Sequence, residues 1–207
     1  IRYDSTKPTV WRLPLRYEVQ PALTVTAPAT GYFVPSAHAA WMSEKLALHG
    51  VEFQRVIAPQ PASVVHTFRA DKTTTAVETF EGRSLMTVDG AWRDEKRDIG
   101  PGALFVPIAQ PKARLVMSLL EPQAPDSFVS WGYFSAAFER KEYMENYVTE
   151  AVARQMLSQD PALKAEFERR LREDAAFAGN PDARLEFFYR RHPSWDERYG
   201  LYPVYRQ

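Results

Sequence analysis

The sequence predicts an α/β fold: a mixed β-sheet with a βαβ unit in the N-terminal half, and a mainly helical C-terminal third. Three observations carry that reading. An apolar strand, a helix and a second strand follow one another over residues 31–57. Residues 62–97 alternate apolar and polar positions, with turn signals between the runs. From residue 139 the apolar spacing becomes helical, and Asp-Pro and Asn-Pro pairs mark helix starts.

Residues 1–25 read as extended, with Val10 to Val19 β-rich and Pro14 favouring a sheet edge. Gly31 to Val34 is a short apolar strand. Ser36 is placed to cap a helix over 37–48, which His49-Gly50 ends, the glycine suiting a left-handed residue. Val51 to Ile57 is the next strand, so two parallel strands joined by a right-handed crossover are expected. Val64 to Arg69 and Ser84 to Val88 read as strands, with Asp89-Gly90 as a hairpin turn and Ala91 to Arg93 as the return. Thr79 to Arg83 reads as strand and turn. Gly100-Pro-Gly102 is a turn, Ala103 to Pro107 a buried strand, and Pro111 the first residue of a helix that runs to Leu120 and stops before Pro122.

Glu139 to Leu157 reads as a helix whose apolar face carries Tyr143, Tyr147 and Ala151, with Met144, Val148 and Val152 beside it. Asp160-Pro161 and Asn180-Pro181 start two more helices, the last ended by His192-Pro193. Tyr202 to Tyr205 returns as a final strand. With no repeat, low-complexity tract or linker, the 207 residues are read as a single α/β domain. The chain starts at Ile1 rather than Met, and is expected to be the C-terminal part of a longer protein.

Composition narrows the function classes. The formal net charge is zero and no basic cluster stands out, which argues against nucleic acid and a membrane surface as partners. The apolar runs fall far short of the ~20 residues of a membrane span. The absence of cysteine excludes disulfides, thiolate zinc sites and a cysteine nucleophile.

A search for chemistry finds no complete site. His49-Gly-Val-Glu52, with His192 far downstream, has the spacing of a zinc ligand set, but each residue also answers a local rule of helix end or strand start. Ser127 lies outside any Gly-x-Ser-x-Gly turn. His192-Pro-Ser-Trp-Asp196 holds the residue types of a catalytic triad, packed too closely to relay a proton in the usual geometry; turn capping and packing explain it better. Asp94-Glu95 beside Lys96-Arg97 reads as a solvated face. The many aromatics after Trp131 fit a core better than a binding surface. Arg190-Arg191 could clamp a carboxylate, or pair with Glu173 or Asp174. The irregular stretch 119–134 reads as the crossover between the sheet-bearing half and the helices, with Asp126 and Ser127 capping backbone. Asp126, Ser127, Trp131, Arg190, Arg191, His192 and Trp195 are the candidate interaction residues; no catalytic or metal residue is assigned.

Gly31-Tyr-Phe-Val-Pro35, Leu48-His-Gly-Val51, Arg55-Val56, Gly102-Ala-Leu-Phe-Val-Pro107 with Gln110-Pro111, Leu119-Leu-Glu-Pro122, Asp126-Ser127, Trp131-Gly132, Glu142-Tyr143 and the tail from Phe187 to Arg206 follow one another along nearly the whole chain. In this order they resemble the region after the catalytic domain in bacterial zinc-carboxypeptidase-like proteins of the carboxypeptidase A type. The resemblance implies a parent that is an exported zinc metallopeptidase, periplasmic or secreted, whose zinc and catalytic glutamate belong to the preceding domain. This chain would then be a non-catalytic accessory domain with no cofactor of its own. Its partner would be its own upstream catalytic domain, with peptide substrate as a further possibility. Two alternatives stand beside it: a module binding peptide or peptidoglycan fragments, and a stand-alone hydrolase using His192 and Asp196.

Overall fold

The computed structural model describes residues 4–21 and 23–207; Ile1, Arg2, Tyr3 and Ala22, part of the stretch read as extended, lie outside them. The sheet-bearing part comprises β1 (Gly31–Val34), α1 (Ser36–Leu48), β2 (Gln54–Arg55), β3 (Gln60–Phe80), β4 (Arg83–Ile99), β5 (Leu104–Pro107) and α2 (Ala113–Leu120). The short α3 (Ser135–Phe138) leads to α4 (Asn146–Gln159), α5 (Pro161–Glu173), α6 (Ala175–Gly179) and α7 (Pro181–Tyr189), and the chain returns as β6 (Tyr205–Arg206). The α/β class and the helical C-terminal third hold.

The six strands are ordered β2-β5-β1-β6-β3-β4, and every neighbouring pair is antiparallel. Because β1 and β2 are both antiparallel to β5, they run parallel to each other, but β5 lies between them. The βαβ unit is therefore present in direction and split in position. Burial explains the order: Leu104 and Val106 of β5 are fully buried, whereas Gln54-Arg55 is exposed and takes the edge. The extended stretch from Val10 to Val19 acquires no ladder and stays exposed.

The hairpin turn is not where Asp89-Gly90 placed it. The chain reverses at Glu81-Gly82, both at positive φ (49° and 74°), the requirement of a two-residue turn matched to strand twist. Asp89-Gly90 lies inside β4. Between the pairs Ala70↔Gly90 and Lys72↔Asp89 the register shifts, so β3 carries one extra residue, Asp71, as a bulge. A Cβ on Gly90 would stand 2.1 Å from the Arg69 carbonyl oxygen, so the glycine answers a close backbone approach.

Local signals place most helix ends. Gly50 (φ 62°) closes α1 with Gly50 N–H donating to Ala47 O (2.8 Å) and Val51 N–H to Leu46 O (2.9 Å), the paired bonds of a Schellman end. Asp160 accepts from Ala162 N and Leu163 N (both 2.9 Å), and Asn180 from Ala183 N (3.1 Å). Asp174 caps α6 through Phe177 N, an end the sequence reading did not include. Ser36 is the first residue of α1 and makes no capping bond. Pro111 precedes α2 by two residues.

The expected helix from Glu139 starts only at Asn146, and its face is different. Tyr143 and Tyr147 are exposed, while Thr149 and Ala153 are buried. Because α4 packs chiefly against α5 and α7, a narrow stripe of small residues suffices, and the tyrosines stay in water.

Strand alternation sorts the core. Tyr32, Val34, Phe68, Val88, Leu104 and Val106 point to the face that receives Ala39, Met42 and Leu46 of α1 and Val116, Leu119 and Leu120 of α2. Phe33, Val65, Ile99 and Phe105 point to the other face, where the apolar cluster contains no helical residue. The helical third builds a cluster of its own from Ala153, Leu163, Phe177, Phe187 and Phe188.

The two-residue β6 joins β2-β5-β1 to β3-β4, yet it pairs with β1 only at Tyr32↔Arg206 and Phe33↔Tyr205, and with β3 only at His66↔Arg206. Flanking backbone bonds, Gln207 N–H to Gly31 O (2.9 Å) and Tyr202 N–H to Phe68 O (3.0 Å), and several side chains add to its hold. Glu121, just after α2, is 3% exposed; it accepts from Tyr32 Oη (2.5 Å) and Arg206 Nε (2.9 Å), and Arg206 Nη2 bonds its second oxygen. Arg206 also lies 4.0 Å over the Trp92 ring, and buried Tyr202 donates to Leu120 O (3.0 Å).

Removing one partner of a buried ion pair strands the other charge. Arg206→Met is expected to lower unfolding free energy by about 3–5 kcal/mol, and Arg206→Met with Glu121→Leu by less than the two single changes together, as read from urea unfolding. Gly90→Ala is expected to cost about 1–3 kcal/mol by overpacking against the Arg69 carbonyl; Gly179→Ala, with open space around it, serves as the near-neutral control.

Candidate functional site

The seven candidate residues fall into two groups. Asp126, Ser127 and Trp131 belong to the loop after α2. Two tight backbone contacts hold this loop on the outer edge of β4: Met86 N–H donates to Ser130 O (2.9 Å), and Gly132, at φ 70°, passes so close that a Cβ would meet Ser84 O at 2.5 Å. The loop thereby protects part of an edge strand. Phe128, Tyr133 and Phe134 surround Trp41 of α1, with Tyr133 stacked on it at 5.1 Å and 12°.

Ser127 is fully buried and structural: its hydroxyl donates to Pro122 O (3.3 Å) and accepts from Ser130 N (3.0 Å). Its proton is committed to a carbonyl, which leaves it no base to act through. Asp126 is exposed at the rim. Trp131 is half-buried against Phe80 of the hairpin (6.1 Å). Phe80, Leu85, Pro122, Pro125 and Trp131, with Leu23, line an apolar groove of about 660 Å³ along β4.

Arg190, Arg191, His192 and Trp195 follow α7. The clefts they line share no residue with the β4 groove. Arg190 pairs with Glu186 (2.8 Å) and Arg191 with Glu166 (2.8 Å). Glu173 and Asp174, their expected partners, instead pair with Arg169 and Arg170 on α5, where the four-residue spacing is met. His192 Nδ1 lies 2.8 Å from Ser194 Oγ and accepts from Ser194 N (3.2 Å), while Asp196 accepts from Arg198 N (2.9 Å). No hydrogen bond joins Asp196 to His192; both stabilise local turns. Trp195 is half-buried, edge-on to Tyr189 (5.1 Å) and Tyr199 (5.7 Å).

Among the described residues, no group of three or more His, Cys, Asp or Glu could hold a metal ion. His49 sits at the end of α1, where its carbonyl accepts from Lys112, and Glu52 is exposed. Other titratable groups are displaced by structure. Burial would raise Glu95, but hydrogen bonds from Arg69 and Arg97 outweigh it and hold the carboxyl at about 2. Of the solvated face expected of Asp94 to Arg97, Asp94 and Lys96 are exposed, whereas Glu95 and Arg97 turn to the other side and join Arg69 in an ion-paired trio beside Tyr205, whose phenol burial pushes up. Burial among Trp41 and Phe134 holds His38 below its ordinary value. Burial, then the Glu121 charge, raises the phenols of Tyr32 and Tyr202.

Comparison with family models, curated proteins and solved structures finds no match to this chain.

Acid should act on stability in two separate windows. Neutral His38 stabilises fully above its ordinary value of about 6.5, and that share is lost as pH falls below it. Ionised Glu95 stabilises fully above about 4.3, and its share is lost as pH falls toward 2. Melting temperatures from pH 8 to 2 should therefore show an upper step missing in His38→Phe and a lower step missing in Glu95→Gln.

Proposed function

We propose that this chain is the non-catalytic C-terminal domain of an exported zinc-carboxypeptidase-like metallopeptidase, and that it docks on its own catalytic domain. The observation that carries the docking is an apolar stripe without a partner. Trp11, Leu13, Leu15, Tyr17 and Val19 occupy alternate positions of an extended segment and are 72–94% exposed. Such alternation is the pattern of a strand with one covered face. Each of these side chains would gain roughly 1.5–3 kcal/mol on full burial.

The second sheet face adds area of the same kind. Phe33, Phe105 and the 88% exposed Ile57 border a groove of about 480 Å³ that no helix lines. The family comes from the ordered motifs between Gly31 and Arg206. Zinc, the catalytic carboxylate and peptide cleavage are assigned to the preceding domain, and an exported location follows from the same resemblance.

A second reading, a module for peptide or peptidoglycan fragments, is favoured by the β4 groove, whose prolines and aromatics offer apolar walls beside an edge strand. The hydrolase reading through His192 and Asp196 draws no support from their geometry.

Zinc content and peptide hydrolysis of this chain alone distinguish these readings. The expected result is neither stoichiometric zinc nor turnover; either one overturns the proposal. Added as a separate polypeptide, the parent's catalytic domain should bind this chain, and Leu13→Asp with Leu15→Asp should weaken binding about ten-fold or more by calorimetry. Unchanged affinity would remove the stripe from the interface.

A further inference from the structure

Between the hairpin and the loop after α7 the fold leaves a cleft of about 270 Å³, and its position follows from backbone geometry. Up to Ala70 the outer edge of β3 is paired with the C-terminal chain: Tyr202 N–H donates to Phe68 O (3.0 Å) and Ala70 N–H to Gly200 O (2.8 Å). Asp71 is the bulge of β3 and Gly200 takes a positive φ of 71°; both line the cleft, just beyond this last backbone pair. Bulges re-aim side chains, and Lys72, the residue after the bulge, lines the cleft.

The charges lining the cleft are unequal. Arg69 is occupied by Glu95 (2.6 Å) and by the Glu197 carbonyl (2.9 Å). Arg190 is held by Glu186 (2.8 Å) and lies over the Trp195 ring (5.2 Å). Arg93 has a loose contact with Asp71 (3.9 Å), the one carboxylate among the lining residues, and Lys72 has no ion-pair partner among the described residues. The cleft thus presents two under-compensated cations near a third and a fourth, an arrangement that favours an incoming anion.

Three aromatics also line the cleft: Trp195 and Tyr199, both half-buried and edge to face at 5.7 Å, and buried Phe138. The volume lies just under the ~300 Å³ at which small-molecule sites begin.

We infer that this cleft binds a small carboxylate carrying a flat apolar group. Lys72 and Arg93 take the carboxylate, where the guanidinium fork matches its two oxygens, and Trp195 and Tyr199 take the apolar group. The site goes beyond the docking reading and does not depend on it, since the Trp11–Val19 stripe contributes nothing to its walls.

The test is a titration of the intact chain with phenylacetate, followed by the NMR signal of the Trp195 indole N–H, assigned by its loss in Trp195→Phe. Phenylacetamide serves as the uncharged control and inorganic phosphate as the bare anion. Saturable shifts with phenylacetate are expected, with affinity lowered about ten-fold or more in Lys72→Met with Arg93→Gln and weakened by added salt. Both substituted residues are exposed, so the melting temperature of the double variant should stay near that of the parent chain. Three results overturn the assignment: no saturation with phenylacetate, equal binding of phenylacetamide, or undiminished affinity in the double variant. Tighter binding of phosphate than of phenylacetate would overturn the aryl carboxylate class.

Discussion

One buried carboxylate ties the last strand to the core that the rest of the sheet is built on. Glu121 draws Tyr32 from β1 and Arg206 from β6 onto the end of α2. The ladder of the last strand has three residue pairs, Tyr32↔Arg206, Phe33↔Tyr205 and His66↔Arg206, and backbone bonds on either side, from Gln207 to Gly31 and from Tyr202 to Phe68, extend it. Charge-assisted bonds to a desolvated carboxylate are about twice as strong as neutral ones, and a stranded charge there is costly. The C-terminus is consequently an integral part of the core: Tyr202 and Val204 are fully buried in one cluster with residues of β1, α1 and α2.

The second constraint is one-sidedness. Both sheet-packing helices lie on one face, because Tyr32, Val34, Leu104 and Val106 all point that way. The other face retains Phe33 and Phe105 with no helix over them, while the extended segment before β1 presents its own apolar stripe to solvent. These features share a cause: alternating strands bury one side and commit the other to whatever lies next to it. A domain so built has more apolar surface than its own helices cover, and a neighbouring domain of the same protein is the partner proposed for it.

Candidate residues chosen for their chemistry turned out to serve local structure in several cases. Ser127 and Asp196 close turns, and Arg191 ties α7 to α5. Residue type alone could not separate these roles from function, since a hydroxyl or carboxylate near the backbone caps it whenever the geometry allows. The cleft was illegible for a related reason. Lys72 and Arg93 are ordinary strand residues by pattern, and they share a cleft with Arg190, Trp195 and Tyr199, far along the chain, beside the bulge at Asp71 and the turn at Gly200. Trp195 and Arg190 were legible as candidates, but their partners on the hairpin were not.

By itself the sequence determined what depends on neighbouring residues: the end of α1 at Gly50, the starts of α5 and α7 at Asp160 and Asn180, the short strands of residues 31–34 and 104–107, and the change from sheet to helix. These rest on caps, φ preferences and apolar period, which act over a few residues. Tertiary structure alone decided the insertion of β5 between β1 and β2, the turn at Glu81-Gly82 instead of Asp89-Gly90, the buried face of α4, and the seat of β6 beside Glu121. Each depends on which surface finds a partner across long stretches of chain. Gly90 illustrates the difference: a glycine permits both a turn and a close approach, and only the carbonyl of Arg69 facing it selects between them.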